Sequence, residues 1–237
     1  MIEHKHIGFI CKKIDFKDYD AIFNVLTSQG KKTFKGRGVL KITSKNSNAC
    51  NYFMLSEFIT QSKTETSNQT LKTANIIRLY KKPYEQLLVS SSYLFICSLL
   101  DGLSDEINGY EMALKCFDYL EDGIYPITVL NYFLKNVCNA LGYTPNLKGC
   151  VFCGKMNNLI SFNLENGGYI CKNCFDVQRH EKYSTSFLKE LYSFLLHDTF
   201  LEQDESNALS IFKIYHAFFK DVVNMFNNNF EFVLKCI

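Results

Sequence analysis

The sequence feature that most constrains this chain is the segment GCVFCGKMNNLISFNLENGGYICKNCF, residues 149–175, which holds two Cys-x-x-Cys pairs. The pairs are Cys150/Cys153 and Cys171/Cys174, with seventeen residues between them. Each short turn can direct two thiolates at one ion, and two such turns complete a tetrahedron around zinc. Two redox-active dithiols, or merely buried cysteines, are the alternatives, and the matched pairs favour the metal. Because four cysteines leave no position open for water or substrate, we predict one structural zinc ion per chain.

The residues between the two pairs predict a small hairpin. Gly154 follows the first pair, and Gly167-Gly168 can form the turn between two short strands. We therefore expect a zinc-binding insert at about residues 147–180. The other six cysteines are scattered, and their simplest interpretation is that of small buried hydrophobic residues.

The composition is that of a chain that can bury a real core. It has 237 residues, of which 47% are hydrophobic, and this suits one large domain or two to three small ones. The most apolar stretch, residues 87–100, is short and interrupted by serines, so we do not expect a membrane span. No charged-then-apolar leader is visible, and we predict an intracellular, cytoplasmic protein. In that compartment ten cysteines indicate a metal site with scattered thiols rather than a disulfide framework.

The catalytic motifs that such a chain could carry are missing from its sequence. None of its five histidines forms an H-x-E or H-E-x-x-H motif, which disfavours a zinc deaminase or metalloprotease. There is no P-loop, no dinucleotide fingerprint before the cysteines and no G-x-S-x-G. We therefore predict a binding protein without an active site.

The first sixty residues carry the pattern of short strands. The runs are HIGFICKK, in which Ile7, Phe9 and Cys11 alternate, then RGVLKIT (37–43) and NYFMLSEF (51–58). Turn-forming residues at 28–30 and 44–48 separate them. A small antiparallel barrel or sandwich is expected, and an OB-type barrel is one such fold. The polar stretch 61–75 is expected to be a loop or a link to the next domain.

Helical periodicity replaces the strand pattern after residue 83. Two helices are expected within 84–120, around the segment DGLSDEING, and further helices over 128–142, 186–200 and 209–226. Thr128 is the expected N-cap of the third helix, and Gly142 can end it. Apolar residues spaced along these segments predict core-facing stripes.

Charge is unevenly distributed although the net charge is only +2. Residues 1–82 carry 15 Lys/Arg against 6 Asp/Glu, whereas residues 83–149 carry 3 against 8. The segment KKTFKGRGVLKITSK also interleaves Phe34 and glycines with its cations, which suits a groove that follows a nucleic-acid backbone and occasionally stacks a base on the aromatic ring. A solvated lysine-rich face is the alternative. The candidate DNA-binding residues are Lys31, Lys32, Lys35, Arg37, Lys41 and Lys45.

Two stretches of this sequence carry a family pattern: ALGYTPNLKGCVFCGK with the following FNLENGGYICKNC, and the opening GFICKKIDFKDYDAIFNVLTSQGKKTFKGRGVLK. Both resemble RecO, the bacterial DNA repair and recombination mediator family. The resemblance implies an α+β chain: an N-terminal OB-type β-barrel (1–80) followed by an all-α domain (81–237) that carries the four-cysteine zinc module. It also implies basic DNA-binding residues on the barrel, here Lys31, Lys35, Arg37 and Lys41.

The same resemblance implies a function and partners. It implies binding to single- and double-stranded DNA, annealing of complementary strands, and work with RecR in loading RecA onto DNA coated by single-strand-binding protein. Contact with the acidic C-terminal tail of that protein and association with the nucleoid are expected as well. A different class of function stays open, a zinc-ribbon RNA-binding or RNA-modification factor, and selectivity for DNA or RNA separates the two.

Overall fold

The first strands of the chain form a small barrel. In the computed structural model, which describes residues 1–65, 67–104, 109–221 and 228–237, the five strands are β1 (Ile2–Phe16), β2 (Asp20–Thr27), β3 (Gly30–Gly36), β4 (Met54–Ser62) and β5 (Gln69–Leu79). They pair in the order β1-β2-β3-β5-β4, and β4 returns to β1. All pairs are antiparallel except β3 with β5, which is parallel. This closed five-stranded barrel confirms the predicted OB-type fold.

The barrel interior is filled by side chains from every strand and from the segment between β3 and β4. Phe23 of β2, Phe34 of β3 and Phe58 of β4 are at most 2% exposed and pack ring against ring. Val39 and Cys50, from the irregular segment 37–53, complete this core. Burial of such large apolar side chains is what holds a small barrel together.

Strand β1 is buried on both of its faces, which corrects the predicted simple alternation. Ile10 points into the barrel core, whereas Phe9 contacts Phe117 and Tyr110 on the outside. A bulge between Ile10 and Lys12 shifts the register, and Ile7 remains 40% exposed. The alternation fails because helices cover the outer face of part of this strand.

Two further predictions for the first eighty residues were wrong, one of a strand and one of a loop or link. The run RGVLKIT (37–43) consists of turns, because Gly38 has a φ of +61° and the chain folds back on itself there. The polar stretch 61–75, expected to be a loop or a link to the next domain, is mostly strand: β4 extends to Ser62 and β5 starts at Gln69, closing the barrel, and only the residues between them form a loop. Only Leu71 and Ala74 of β5 are buried, while Ile76, Ile77 and Leu79 stay exposed, so the strand lacks the apolar alternation that would have predicted it.

The helices are α1 (Lys82–Glu85), α2 (Leu87–Gly102), α3 (Gly109–Asp122), α4 (Pro126–Ala140), α5 (Thr185–Leu196), α6 (Glu205–Asp221) and α7 (Asn228–Lys235). The two helices expected within 84–120 are confirmed as α2 and α3, and residues 105–108 of the segment between them lie outside the described residues. For the helix expected over 209–226, residues 222–226 also lie outside them. None of the described helices is long and apolar enough to cross a membrane.

The start of α4 differs from the prediction. Tyr125 is its N-cap and Pro126 occupies the first turn, whereas Thr128 is buried within the helix. Proline suits this position because the first turn leaves its N–H groups unbonded. The helix ends where expected, since Gly142 follows it with a φ of +85°.

Packing divides the chain into two compact units. One comprises Met1–Ile124 with Asn227–Ile237, and the other comprises Tyr125–Phe226. The first contains the barrel with α1, α2, α3 and α7, and the second contains α4, α5, α6 and the cysteine-bearing hairpin. The predicted domain boundary near residue 80 stays a prediction. The two units are defined by packing, and packing does not show which part of the chain folds independently.

A lysine of β3 caps the helix that lies against the barrel. Lys31 Nζ donates to the carbonyl oxygens of Asp101 at 2.9 Å and of Leu100 and Leu103, at the C-terminal end of α2. The same helix end is held by Asn24 of β2, whose Nδ2 donates to Asp101 Oδ1 at 2.7 Å. A cation at a helix C-terminus satisfies carbonyls that lack partners within the helix.

We predict that Lys31→Ala lowers the free energy of unfolding by about 1–3 kcal/mol, because the carbonyls at the end of α2 lose a charged donor. Chemical denaturation of the two proteins measures this difference. Lys45→Ala is the matched control, since Lys45 is exposed, and should change stability by less than about 0.5 kcal/mol. Equal effects of the two substitutions would contradict the capping role.

Candidate metal centre and nucleic-acid interface

The four cysteines lie on two tight turns beside a short hairpin, as the sequence predicted. The hairpin pairs β6 (Leu159–Asn163) with β7 (Gly168–Cys171), so the second cysteine pair begins where β7 ends. The first turn is closed by Cys150 N–H donating to Lys155 O at 2.9 Å and by Gly154 N–H donating to Cys150 O at 2.8 Å. Backbone hydrogen bonds therefore hold the turn of the first cysteine pair without a contribution from a metal ion.

The sulfur atoms lie close enough together to surround one metal ion. All four Sγ atoms lie within 4.8 Å of one another, and Cys153 Sγ is 3.6 Å from Cys171 Sγ. Zinc–thiolate bonds of about 2.3 Å place sulfurs about 3.8 Å apart around a tetrahedral ion. A disulfide would need about 2.05 Å, and all four thiols are free. The donor set thus fits a thiophilic divalent cation.

The backbone around the first pair favours a thiolate. Burial opposes ionisation of Cys150, but the backbone N–H groups of Cys171, Phe152 and Cys153 donate to its sulfur and lower its pKa to about 6. Cys174 shows the opposite, because hydrogen bonding to Cys153 raises its pKa to about 12. The cluster thus holds one thiol whose pKa is lowered and one whose pKa is raised. A divalent cation would replace the remaining protons, since only thiolates bind it.

Glycines allow the backbone to close tightly around the cysteines. Gly168 has a φ of +148°, and a Cβ there would lie 2.5 Å from Asn146 O. A Cβ at Gly149 would lie 2.8 Å from Gly154 O. Both positions exclude a side chain because the obstructing atoms belong to the backbone and cannot rotate away.

The six candidate DNA-binding residues are divided among three places. Lys31 is engaged with α2, as described above. Lys32 lies on the same side of β3 as the core residue Phe34, near His6, whose pKa is lowered chiefly by burial and further by this cation. The remaining four lie on the outside of the barrel: Lys35, Arg37, Lys41 and Lys45.

The structure brings Lys35 against the turn between β1 and β2. Its Nζ is 2.9 Å from Asp20 Oδ2 and 4.3 Å from the centre of the Phe16 ring. Asp20 also accepts the backbone N–H of Gly38 at 2.8 Å. These two donors, Lys35 first, hold the pKa of Asp20 below its usual value.

The turn at 37–41 packs on the same place. Leu40 N–H donates to Tyr19 O at 3.0 Å, and Lys41 Nζ lies 5.3 Å from the centre of the Tyr19 ring. Arg37 and Lys41 are exposed, as is Lys17 beside them. We call this group the basic turn surface: Phe16, Lys17, Tyr19, Lys35, Arg37 and Lys41.

Two aspects of this surface escaped the sequence prediction. Phe34, which we expected to stack on bases, is 2% exposed in the barrel core, because even-numbered residues of β3 point inward. The exposed rings are instead Phe16 and Tyr19. The sequence feature that could have indicated them is the pair of aromatic residues that flanks the short polar segment Lys17-Asp18. Acidic residues also lie here, since Asp18 is exposed in that turn and Asp20 contacts Lys35.

Comparison with protein families identifies the group to which the chain is related. Residues 1–80 match the family model described as Recombination protein O N terminal, and residues 85–221 match Recombination protein O C terminal. The chain belongs to the RecO family. This confirms the resemblance noted in the sequence, and it makes the chain a member of a DNA repair family.

Individual relatives support the same assignment. A DNA repair protein RecO of Bacillus pumilus is 26% identical over 176 residues, which cover 72% of this chain and 68% of the relative. The corresponding protein of Mesoplasma florum is 27% identical over 201 residues, covering 81% and 74%. That of Mycoplasma mycoides subsp. mycoides is 25% identical over 236 residues, covering 94% and 93%. The similarity thus spans both the barrel and the cysteine-bearing part.

We predict that Gly168→Ala weakens the cysteine-bearing hairpin, because its Cβ meets the carbonyl oxygen of Asn146. Limited proteolysis followed by mass spectrometry should detect faster cleavage within residues 145–182 than in the unmodified protein. Gly167→Asn is the control, since Gly167 has a left-handed φ of +83° that asparagine tolerates and open space around its Cβ position. Unchanged cleavage in Gly168→Ala would contradict the close approach.

Proposed function

We propose that this protein is a DNA repair and recombination mediator that binds single- and double-stranded DNA and anneals complementary strands. With RecR, it would load RecA onto DNA coated by single-strand-binding protein. The carrying observation is the basic turn surface, which stands on the outside of an OB-type barrel in a chain of the RecO family. We place this work in the cytoplasm, at the nucleoid.

The chemistry of the surface suits DNA without regard to its sequence. Ammonium and guanidinium groups bind phosphates, which every strand carries, and release the counterions condensed on them. Two complementary strands repel each other through those phosphates. A cationic surface that holds both strands reduces the repulsion and leaves base edges free to pair, so annealing needs no nucleotide hydrolysis. Lys31 does not belong to this proposal, because α2 occupies its ammonium.

We propose that the four cysteines hold one zinc ion, Cys150, Cys153, Cys171 and Cys174 being its ligands. A tetrahedral site filled by four thiolates gives the metal no open position, so its contribution is to the stability of the hairpin. The cysteines themselves hold the turns, exclude water on the buried side of the site and give up their thiol protons on binding. The alternative of two redox dithiols predicts no bound metal.

Protein purified without chelator should contain one zinc per chain, and Cys→Ser at any one of the four positions should lower that content. Metal loss should also lower the melting temperature of the Tyr125–Phe226 unit, because site formation and folding are coupled. Elemental analysis with differential scanning calorimetry measures both. Cys236→Ser, a half-buried cysteine outside the site, is the control. Absence of zinc from the unmodified protein would contradict the assignment.

The affinity for DNA should fall linearly with salt concentration on a double-logarithmic plot. Arg37→Ala and Lys41→Ala should each lower the slope by about one, because each removes one phosphate contact. Lys31→Ala should leave the slope unchanged although it lowers stability. Fluorescence anisotropy at several salt concentrations measures these slopes. An Arg37/Lys41 double variant that keeps the full slope would show that DNA binds elsewhere.

Annealing distinguishes the proposed function from an RNA-directed one. We expect the protein to accelerate pairing of complementary DNA strands in the absence of ATP, and the Arg37/Lys41 double variant to do so less. The measurement is the rate of fluorescence quenching as two labelled strands pair. Tight, selective binding to structured RNA with no acceleration of DNA annealing would favour an RNA-binding or RNA-modification factor.

The acidic tail of single-strand-binding protein needs a cation beside an apolar wall. Among the lysines that could contact it, Lys135 is 2% exposed, and its Nζ donates to Phe194 O at 3.0 Å at the end of α5. Lys213 is better placed, in a groove of about 320 Å³ that Arg179, Ile214 and Phe218 also line. Three carboxylates share this groove: Glu165, Glu181 and Asp221. We propose the groove for the tail, held mainly by its apolar wall.

Lys213→Ala should weaken binding of a labelled peptide with the sequence of that tail, measured by fluorescence anisotropy with the full-length chain. The expected loss is severalfold, because one partly exposed charge pair contributes about 1 kcal/mol or less. Lys189→Ala, which removes an exposed lysine of α5, is the control. If Arg37→Ala and Lys41→Ala weaken the peptide instead, simple attraction to the barrel explains the contact.

A further inference from the structure

Two aromatic rings stand exposed on the basic turn surface: Tyr19 has the ammonium of Lys41 over it, and Phe16 has those of Lys35 and, at 5.6 Å, Lys17. Phe16 is 39% exposed and Tyr19 is 53% exposed. Lys35 Nζ lies 4.3 Å from the centre of the first ring, and Lys41 Nζ lies 5.3 Å from the centre of the second. An ammonium over an aromatic face is a weak interaction at an exposed site.

The rings are held in place rather than carried on a free loop. Phe16 and Asp20 form the last pair between β1 and β2, so only three residues separate the strands. The backbone of Tyr19 accepts the N–H of Leu40, and Asp20 accepts that of Gly38. These two hydrogen bonds fix the turn that carries both rings. Because the turn is already ordered in the folded protein, ligand binding does not have to supply the conformational entropy cost of ordering it.

The chemistry of the surface specifies its ligand. Cations alone would suit any phosphate polymer, and exposed rings alone would suit an apolar protein partner. Rings interleaved with Lys17, Lys35, Arg37 and Lys41 suit a chain that alternates phosphates with flat π-systems, which is single-stranded nucleic acid. In a duplex the base faces are stacked on one another and cannot reach the rings.

We propose that Phe16 and Tyr19 form a stacking site for unpaired bases of single-stranded DNA. The inference rests on the proposed function and deepens it: the cations supply binding to any DNA, and the rings supply the preference for single strands. Phosphates attract the ammonium of Lys41 more strongly than the Tyr19 ring does, and for the ammonium of Lys35 they compete with both the Phe16 ring and the Asp20 carboxylate, 2.9 Å away, so strand binding draws each lysine toward the backbone. That movement frees the ring face for a base.

Stacking can be separated from charge by the choice of strand. An oligothymidine and an abasic strand of the same length carry equal numbers of phosphates, but only the first has bases. The protein should bind the oligothymidine more tightly than the abasic strand by roughly 5- to 100-fold, the range expected for stacking on an aromatic side chain. Fluorescence anisotropy with the full-length chain at one fixed salt concentration measures both affinities.

Variants assign the difference to the two rings. Phe16→Leu with Tyr19→Leu keeps apolar volume and removes both π-systems, so it should bind both strands as tightly as the unmodified protein binds the abasic one. Tyr19→Phe should retain the preference. Tyr84→Leu is the control, because Tyr84 is 58% exposed on α1 and contacts Tyr52 and Phe53 rather than residues of the basic turn surface.

The outcomes discriminate between failures. If the unmodified protein binds the two strands equally, stacking is wrong while DNA binding stands. A double-leucine variant that loses affinity for both strands alike, or keeps the full preference for oligothymidine, also overturns the assignment to these rings. If neither strand binds at all, the proposed function itself fails.

Discussion

The burial of strand β1 on both faces is the packing constraint on which the rest of the barrel unit depends. Ile10 belongs to the barrel core, and Phe9, its neighbour, packs edge-on against Phe117 of α3 with ring centres 4.9 Å apart. Helices therefore cover one side of the barrel, where Lys31 and Asn24 also hold the end of α2. The strand leaves this cover before its end, and its last residue, Phe16, is exposed. The same strand thus joins the apolar interior to the basic turn surface.

Lysines that are close together in the sequence make different contacts and have different roles. Lys31 and Lys35 are four residues apart on one strand, yet the first caps a helix and the second lies over a ring. In the other unit Lys135 caps α5 in the way that Lys31 caps α2, and burial lowers its pKa. A lysine-rich sequence therefore overstates the charge that is available to a polyanion. Asp18 and Asp20 reduce it further, so the binding that we propose rests on a few well-placed cations.

The predictions from sequence succeeded where a short pattern determines the structure. The spacing of Cys150, Cys153, Cys171 and Cys174, with Gly167-Gly168 between, was enough for the hairpin and for the clustering of the sulfurs. Apolar periodicity was enough for the long helices. These features depend on neighbours in the sequence, and no distant contact can easily change them.

Failures occurred where distant parts of the chain determine burial. Phe34 is interleaved with lysines, but its strand parity and the closing of the barrel by β5 place it inside. The run 37–43 has a strand-like composition, but the turn at Gly38 brings Val39 into the core and leaves Ile42 fully exposed. The surroundings of Phe16 and Tyr19 depend on contacts with residues about twenty positions away. Local patterns carry no information about such contacts.

The central claim is that DNA binds the barrel unit at the basic turn surface and not the cysteine-bearing unit. Hydrogen–deuterium exchange of the full-length chain, with and without a single-stranded oligonucleotide at saturating concentration, tests it most directly. We expect DNA to slow exchange in peptides covering residues 12–20 and 37–45, with no change in peptides covering 145–182. Slowed exchange confined to residues 125–226, with residues 12–45 unaffected, would contradict the claim.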